Sequence, residues 1–188
     1  MNTLKKSLFA LLLAAMPVIA FAQEAENKSV LRPRMEISRI ETETGDIRCT
    51  TLEVFYMNDE SPRQYYLSVG NLGIGGDLIQ IQFDPLYELF IPLGGNLEEA
   101  LEKLNEIKAL YKRPKLSQME VPGCLCALYP DSSKLEPVTL TYRKVLLTKT
   151  MEFSVQRDNY LRVTYVPKID FSSLVSGVKI YKKLHPKE

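Results

Sequence analysis

The spacing of apolar and polar positions divides the chain into stretches with two different periods. Between residues 34 and 93, apolar residues alternate with polar ones or form short runs in RMEISRIE, IRCTTLEVFYM, RQYYLSV, LIQIQF and LYELFIPL. After residue 116, similar runs return in GCLCAL, VTLTYRKVLL, TMEFSV and YLRVTYVP. Alternation of this kind, with β-branched and aromatic residues between turn residues, predicts β-strands. The glycine-rich GNLGIGGD predicts a hairpin or edge loop between two of them.

One stretch between the two groups of strands has a helical period. In NLEEALEKLNEIKALYKRP, apolar residues recur at steps of three and four. Asn96 is placed to cap the first turn, and Glu99 stands three residues later, as in a capping box. Pro114 cannot continue a helix. The sequence therefore predicts a helix over residues 96–112 whose apolar side packs on a sheet through Leu97, Leu101, Leu104 and Ile107.

The C-terminal stretch DFSSLVSGVKIYKKLHP also carries a helical stripe, from Phe171 to Tyr181. Asp170 is the predicted N-cap and Pro186 the predicted stop. Gly177 is unfavourable inside a helix. The alternative interpretation makes VKIYKKL a strand after that glycine; the helix is preferred because cap, stripe and stop agree.

Together these elements predict an α+β fold, an antiparallel β-sheet with two helices packed on one face. Four strands and a helix occur twice, and the helix ends IKALYKRPK and VKIYKKLHPK resemble each other. This order suggests a tandem ββββα duplication with repeats 34–115 and 116–188. The alternative is coincidence, because lysine-rich helix ends are common.

The first residues of the chain predict where the protein is localised. Lys5 and Lys6 precede an apolar run, and Ala20 and Ala22 provide the small residues that a signal peptidase reads. Pro17 interrupts the run, which is shorter than the roughly 20 residues of a membrane span. We expect a signal peptide at 1–22 that is cleaved near Ala22, a flexible leader at 23–33 and one domain at 34–188. The mature protein would be exported, either periplasmic or extracellular, with no transmembrane segment.

Charge and histidine content exclude several classes of function. Without the signal peptide, 22 basic residues face 23 acidic ones, so nucleic acid is not an expected partner. Residues 138–188 hold ten basic and four acidic residues, which predicts either a solvated face or a surface for an acidic partner. The only histidine, His185, is placed as a helix-end cation. No metal site, cofactor or histidine-based catalytic site is therefore expected.

If the protein is exported, its three cysteines can form a disulfide, because disulfides persist outside the cytoplasm. Cys124 and Cys126 are two residues apart in a predicted strand and face the same side, so a bond between them is unfavourable. The candidate disulfide joins Cys49 to Cys124 or Cys126. The alternative is three unbonded apolar cysteines.

Ten tyrosines and no tryptophan point to a tyrosine-rich sheet surface. The candidate binding surface consists of Tyr142, Arg143, Arg157, Tyr160, Arg162 and Tyr165; the alternative is cross-strand pairing that only stabilises the sheet. The favoured function is a non-enzymatic interaction domain that binds a protein, peptide or glycan, and no catalytic residue is singled out. The alternatives are a small carboxylate-dependent hydrolase, which needs two converging acidic groups, and an inhibitor of a secreted enzyme that presents loop 70–77 or 128–137.

Overall fold

The computed structural model describes residues 34–41, 51–70, 72–75, 82–83, 87–145, 147–157 and 159–186. They belong to one compact unit, Pro33–Glu188. The predicted signal peptide, the whole predicted leader and Cys49 lie outside the described residues, so the predictions made for them stay predictions. The α+β class with an antiparallel sheet is confirmed.

Eight strands of five to ten residues form most of the sheet. They are β1 (Arg34–Glu41), β2 (Thr51–Met57), β3 (Tyr65–Val69), β6 (Glu88–Gly94), β7 (Gln118–Cys126), β8 (Glu136–Val145), β9 (Thr148–Arg157) and β10 (Tyr160–Pro167). Two short strands, β4 (Gly73–Gly75) and β5 (Gln82–Phe83), complete it. The spatial order is β1-β2-β3-β6-β7-β8-β9-β10-β4-β5, with antiparallel neighbours throughout.

The glycine-rich segment is not only the loop that the sequence suggests. Gly73, Ile74 and Gly75 pair with Val163, Arg162 and Leu161 of β10. The backbone of β4 thereby continues the sheet beyond β10. Local sequence could not reveal this pairing, because its partner strand lies about ninety residues further along the chain.

Helix α1 (Leu97–Ala109) begins where the capping residues predict. The Asn96 side chain accepts from the backbone N–H groups of Glu98 and Glu99, and Glu99 accepts from the side chain of Asn96 and from the N–H of Gly95. A turn of 3-10 helix at Leu110–Lys112 follows. The predicted helix at 96–112 is therefore confirmed, together with its cap.

Helix α2 (Lys168–Leu184) confirms the helical interpretation of the C-terminal stretch and corrects its start. The helix begins two residues before Asp170, and the capping position is Pro167, which has no side-chain cap. Asp170 therefore lies in the first turn, where a negative charge favours the helix dipole. The strand alternative for VKIYKKL is wrong. Neither described helix combines the length and apolarity needed to cross a bilayer.

Gly177 allows α2 to approach strand β1 closely. A Cβ atom built on Gly177 would lie 2.2 Å from the Ser38 hydroxyl oxygen, and that hydroxyl donates to the Leu174 carbonyl oxygen over 3.1 Å. Gly177 is unfavourable for helix formation, but it allows α2 to pack closely against β1.

The main core contains the buried residues of both helices and alternate residues of the strands. All of the following are at most 1% exposed: Leu67, Val69, Leu89 and Ile91 from strands, Leu97, Leu104 and Ile107 from α1, and Phe171, Leu174 and Val178 from α2. We call the side of each strand that faces this cluster the core face. A smaller cluster, Phe55, Met57, Tyr66, Phe90 and Cys124, occupies the opposite face of β2, β3, β6 and β7.

The predicted repeats at 34–115 and 116–188 stay a hypothesis.

Candidate functional site

Arg34 is the centre of an ionic cluster on the face of the sheet that carries the smaller cluster. Its guanidinium lies 3.3 Å from a carboxylate oxygen of Glu53 and 3.1 Å from one of Glu88. It also donates to the carbonyl oxygen of Leu128 over 2.6 Å. The same group lies over two aromatic rings, 4.7 Å from the centroid of Phe55 and 5.2 Å from that of Phe90. Arg34 is therefore held by three polar partners and two ring faces.

Strand register explains why these residues meet. Glu53 and Phe55 alternate along β2, and Glu88 and Phe90 alternate along β6, so each pair projects from one face. Strand β3 lies between them, and its Ser68 donates to Glu88 over 2.8 Å. Two carboxylates from strands that are not adjacent thus converge on one guanidinium.

Burial dominates the electrostatics of Glu53. Its side chain is 6% exposed. Burial raises the pKa of this carboxyl above its ordinary value of 4.5, and the neighbouring Arg34 opposes that shift only in part. An acid that holds its proton more tightly than usual is a feature of functional sites and also of structural ion pairs.

A pocket of about 130 Å³ opens beside this cluster. Its lining is Arg34, Arg39, Thr51, Glu53, Gly70, Tyr87 and Glu88. We call it the Arg34 pocket. The walls offer guanidinium donors, carboxylate acceptors and one aromatic ring, so the pocket can hold a small polar group and make both kinds of hydrogen bond to it.

Tyr87 joins the Arg34 pocket to two of the arginines that the sequence singled out. The guanidinium carbons of Arg157 and Arg162 each lie 5.8 Å from the centroid of its ring. Arg157 also donates to the carbonyl oxygen of Leu125 on β7. Arg162 is 8% exposed, and a buried cation on an aromatic face is a favourable contact.

The structure divides the six predicted surface residues between the two faces of the sheet. Tyr142, Arg157, Tyr160 and Arg162 alternate onto the core face, whereas Arg143 and Tyr165 lie on the opposite face. Tyr142 is buried in the main core, with its ring 6.3 Å from that of Tyr111, so it offers no surface to a partner. Tyr160 is 56% exposed near the end of the strand.

Arg143 and Tyr165 form a separate polar group around Glu152. Arg143 donates to a Glu152 oxygen over 3.0 Å. Burial and the neighbouring Glu152 raise the pKa of Tyr165. This group has the cross-strand form that the sequence offered as the alternative to a binding surface.

No disulfide bond joins Cys124 to Cys126 in the described part of the chain. Cys124 is buried in the smaller cluster, where burial raises the pKa of its thiol to about 12. A thiol in that state is a poor nucleophile. The predicted bridge to Cys49 stays a prediction, because Cys49 lies outside the described residues.

His185 and Gly94 have structural roles. His185 ends α2, and its ring stacks on Tyr181 at 4.0 Å between centroids. Gly94 has a φ of +127°, and a Cβ there would lie 2.5 Å from the Cβ of Glu99, so the turn before α1 requires glycine at this position. Within the described ranges, no group of three or more His, Cys, Asp or Glu side chains could hold a metal ion.

The sequence analysis missed Arg34, Glu53, Tyr87 and Glu88 as a group. One signal was present: Glu53 is a charged residue inside the otherwise apolar run TLEVFYM. A charge in a strand that is buried on both faces needs a partner, so this residue predicts an ion pair. Its partners could not be identified, because strand order decides which charges meet. No protein-family model, curated protein or solved structure matches this chain.

Proposed function

We propose that the chain is an exported, non-enzymatic interaction domain that binds a protein, peptide or glycan through the Arg34 pocket. The observation that carries the proposal is the position of Tyr87. Tyr87 lines the pocket together with Glu53 and Glu88, and its half-buried ring contacts the guanidinium groups of Arg157 and Arg162. An aromatic ring among fixed donors and acceptors suits a ligand with an apolar face and polar edges, such as a sugar ring or a peptide side chain.

The second candidate function is a carboxylate-dependent hydrolase. The convergence of Glu53 and Glu88 beside a pocket favours it, since such enzymes use two carboxyl groups. However, Arg34 binds one oxygen of each carboxylate and is itself held by Leu128 and two aromatic rings. A substrate would have to compete with that guanidinium for both groups. Binding is therefore the better supported function.

The inhibitor alternative depends on an exposed loop. In the segment 128–137, Leu128 and Leu135 are exposed, but Arg34 binds the carbonyl oxygen of Leu128, and the N–H of Asp131 donates to the sulfur of Cys124 over 3.3 Å. This loop is tethered at two points, which favours a supporting role for it at the pocket.

Export and two finer aspects of the fold belong to the same proposal. The signal-like pattern at 1–22 supports a periplasmic or extracellular address. Both helices contribute to one core cluster, which supports their placement on one face of the sheet. The element order, four long strands and then a helix in each half, supports duplication. Mass spectrometry of the protein from its native host checks the address: the chain should begin at Gln23, and a chain that begins at Met1 contradicts export.

The binding test uses the mature chain, residues 23–188, on arrays of glycans and of peptides. Ligands found there are measured by calorimetry with wild type, Tyr87→Ala and Tyr165→Ala. Both tyrosines are half-buried, but only Tyr87 lines the pocket. We expect Tyr87→Ala to weaken binding about ten-fold or more, equivalent to roughly 1.4 kcal/mol, and Tyr165→Ala to leave it unchanged. Equal affinity in all three proteins would refute the assignment of this pocket.

The same ligands separate binding from hydrolysis. Turnover that is lost in both Glu53→Gln and Glu88→Gln, with binding retained, would establish the hydrolase instead. Binding by wild type without turnover supports the interaction domain.

A further inference from the structure

Basic residues from three segments meet at one end of the sheet. Strand register brings them together: Lys144 pairs with Lys149 across the β8–β9 hairpin, and Thr150 pairs with Pro167, which directly precedes Lys168. The segment that links α1 to β7 joins the same end, because the N–H of Leu116 donates to the carbonyl oxygen of Tyr142 over 2.8 Å. We call this region the basic end; its cations are Lys108, Lys112, Arg113, Lys115, Lys144, Lys149 and Lys168.

No carboxylate neutralises these lysines within the part of the chain that the structure describes. The ion pairs found there involve other cations, such as Lys103 with Glu106 and Lys182 with Glu98. Nearby acids are Asp170, in the first turn of α2, and Glu152, which pairs with Arg143. Lys108 faces other cations: burial lowers its pKa, and Lys179, Lys168 and Lys112 lower it further. Like charges gathered in this way favour an anionic partner.

Large aliphatic side chains are exposed among these cations. Leu147 at the hairpin is 92% exposed, Ile169 at the start of α2 is 74% exposed, and Leu116 is 55% exposed. Each adjoins a basic segment: the hairpin of Lys144 and Lys149, Lys168, and Lys115. Aliphatic tips surrounded by lysines are typical of surfaces that lie in the headgroup region of an anionic membrane. A polyanion in solution would use the charges alone and would leave the aliphatic tips in water.

We propose that the basic end docks on the surface of an anionic lipid bilayer, with the lysines among the headgroups and Leu147 and Ile169 at the acyl boundary. The positive charge of the basic end favours an anionic surface. The exposed side chains of Leu147 and Ile169 favour a bilayer over a dissolved polymer. Glu88 pairs with Cys126 at the far end of β7, and Gln118 begins that strand at the basic end. Nine residues of strand span roughly 27 Å, so about that distance separates the basic end from the Arg34 pocket.

The test measures sedimentation of the mature chain with vesicles. We expect binding to phosphatidylcholine vesicles that contain phosphatidylglycerol, no binding to phosphatidylcholine alone, and weaker binding as salt rises. Lys144→Glu combined with Lys149→Glu should reduce the bound fraction severely, and Leu147→Ser should reduce it at every salt concentration. The matched controls are Lys134→Glu and Leu135→Ser, at the opposite end of the β7–β8 pair, which should bind as wild type.

A fluorescence measurement shows whether the side chain at position 147 enters the bilayer. The chain contains no tryptophan, so Leu147→Trp introduces a single reporter. Its emission should shift to the blue with phosphatidylglycerol vesicles, while that of the control Leu135→Trp should not change. Absence of sedimentation with anionic vesicles overturns the proposal. Sedimentation that is unaffected by Leu147→Ser, together with tight binding to heparin, overturns it in favour of a dissolved polyanion.

Discussion

Replacing Gly177 with alanine tests the packing of α2 on the sheet. The new Cβ would lie 2.2 Å from the Ser38 hydroxyl oxygen and 3.0 Å from the Ser38 Cβ, well inside ordinary contact. The helix or the strand must therefore move apart. The hydrogen bond from Ser38 to the Leu174 carbonyl, now 3.1 Å long, would be disturbed by the same movement.

Two opposing contributions set the size of the effect. Alanine is favoured over glycine inside a helix by about 1 kcal/mol. Overpacking a tight contact costs about 1–3 kcal/mol. The hydroxyl that would be disturbed contributes a further ~1 kcal/mol. We therefore expect Gly177→Ala to lower the free energy of unfolding by about 1–3 kcal/mol.

The sign should change when Ser38 is replaced by glycine. The nearest remaining atom of residue 38 would then be its Cα at 4.0 Å, an ordinary contact. In that background Gly177→Ala keeps only its helical advantage and should stabilise the protein by up to about 1 kcal/mol. The coupling between the two positions should then be roughly 2–4 kcal/mol.

Urea unfolding of the four proteins, followed by circular dichroism, measures this cycle. A coupling near zero, or a wild-type chain that is stabilised by Gly177→Ala, would refute the close approach of α2 to β1. Ser176→Ala on the exposed side of the same helix is the matched control and should change stability little.

Three further predictions concern the core, the buried acid and the cysteines. Leu104→Ala should lower the free energy of unfolding by about 2–5 kcal/mol in urea, because Leu104 is fully buried. Glu53 has a raised pKa in the folded chain, so the folded state binds its proton more tightly than the unfolded state does. Stability relative to Glu53→Gln should therefore rise as pH falls through that raised pKa towards the ordinary value of 4.5, measured by urea unfolding at several pH values. A bridge from Cys49 should leave one free thiol in the denatured, unreduced protein, counted with a thiol reagent.

Each of these three has its own contrary outcome. Leu101→Ala, at a half-buried position on α1, should cost less than Leu104→Ala; an equal or larger cost would mean that the core side of the helix is assigned wrongly. A stability difference that grows with rising pH would show that Arg34, and not burial, dominates the pKa of Glu53. A count of three free thiols would show that none of the cysteines forms a disulfide. A bridge that closes a loop of about 75 residues would add roughly 4 kcal/mol in the chain-entropy model.

The parts of the fold that the sequence predicted correctly are determined by neighbours in the chain. Helix α1 is the clearest case, since Asn96 and Glu99 satisfy its first turn within four residues. The start of α2 was misplaced because Pro167 provides no side-chain cap, and Asp170 resembled one. Pairing of β4 with β10 was missed because short glycine strands have no pattern of their own, and their partner determines their structure.

The candidate site was harder to predict, because its parts meet only through strand order. Arg34, Glu53 and Glu88 come from β1, β2 and β6, and none of them is near another in sequence. The predicted arginine and tyrosine surface failed as a single surface for a related reason. Consecutive strand residues face opposite sides, so Arg143 and Tyr142 could not both lie on one face.

The antiparallel strand order places the Arg34 pocket and the basic end at opposite ends of the sheet. Because neighbouring strands are antiparallel, each hairpin places its turn at one end of the sheet and its open ends at the other. Arg157 and Tyr160 adjoin the β9–β10 turn at the end of Tyr87 and the Arg34 pocket, whereas Lys144 and Lys149 adjoin the β8–β9 turn at the basic end. The two proposed binding regions thus lie at opposite ends of β9, a strand of ten residues. A variant at one end should therefore leave binding at the other end unchanged, because sites separated by well over 10 Å without shared partners contribute independently. Measuring vesicle binding by Tyr87→Ala and ligand binding by Lys144→Glu with Lys149→Glu tests this independence, and a loss at both ends from either change would show that the two regions are one site or that the sheet has unfolded.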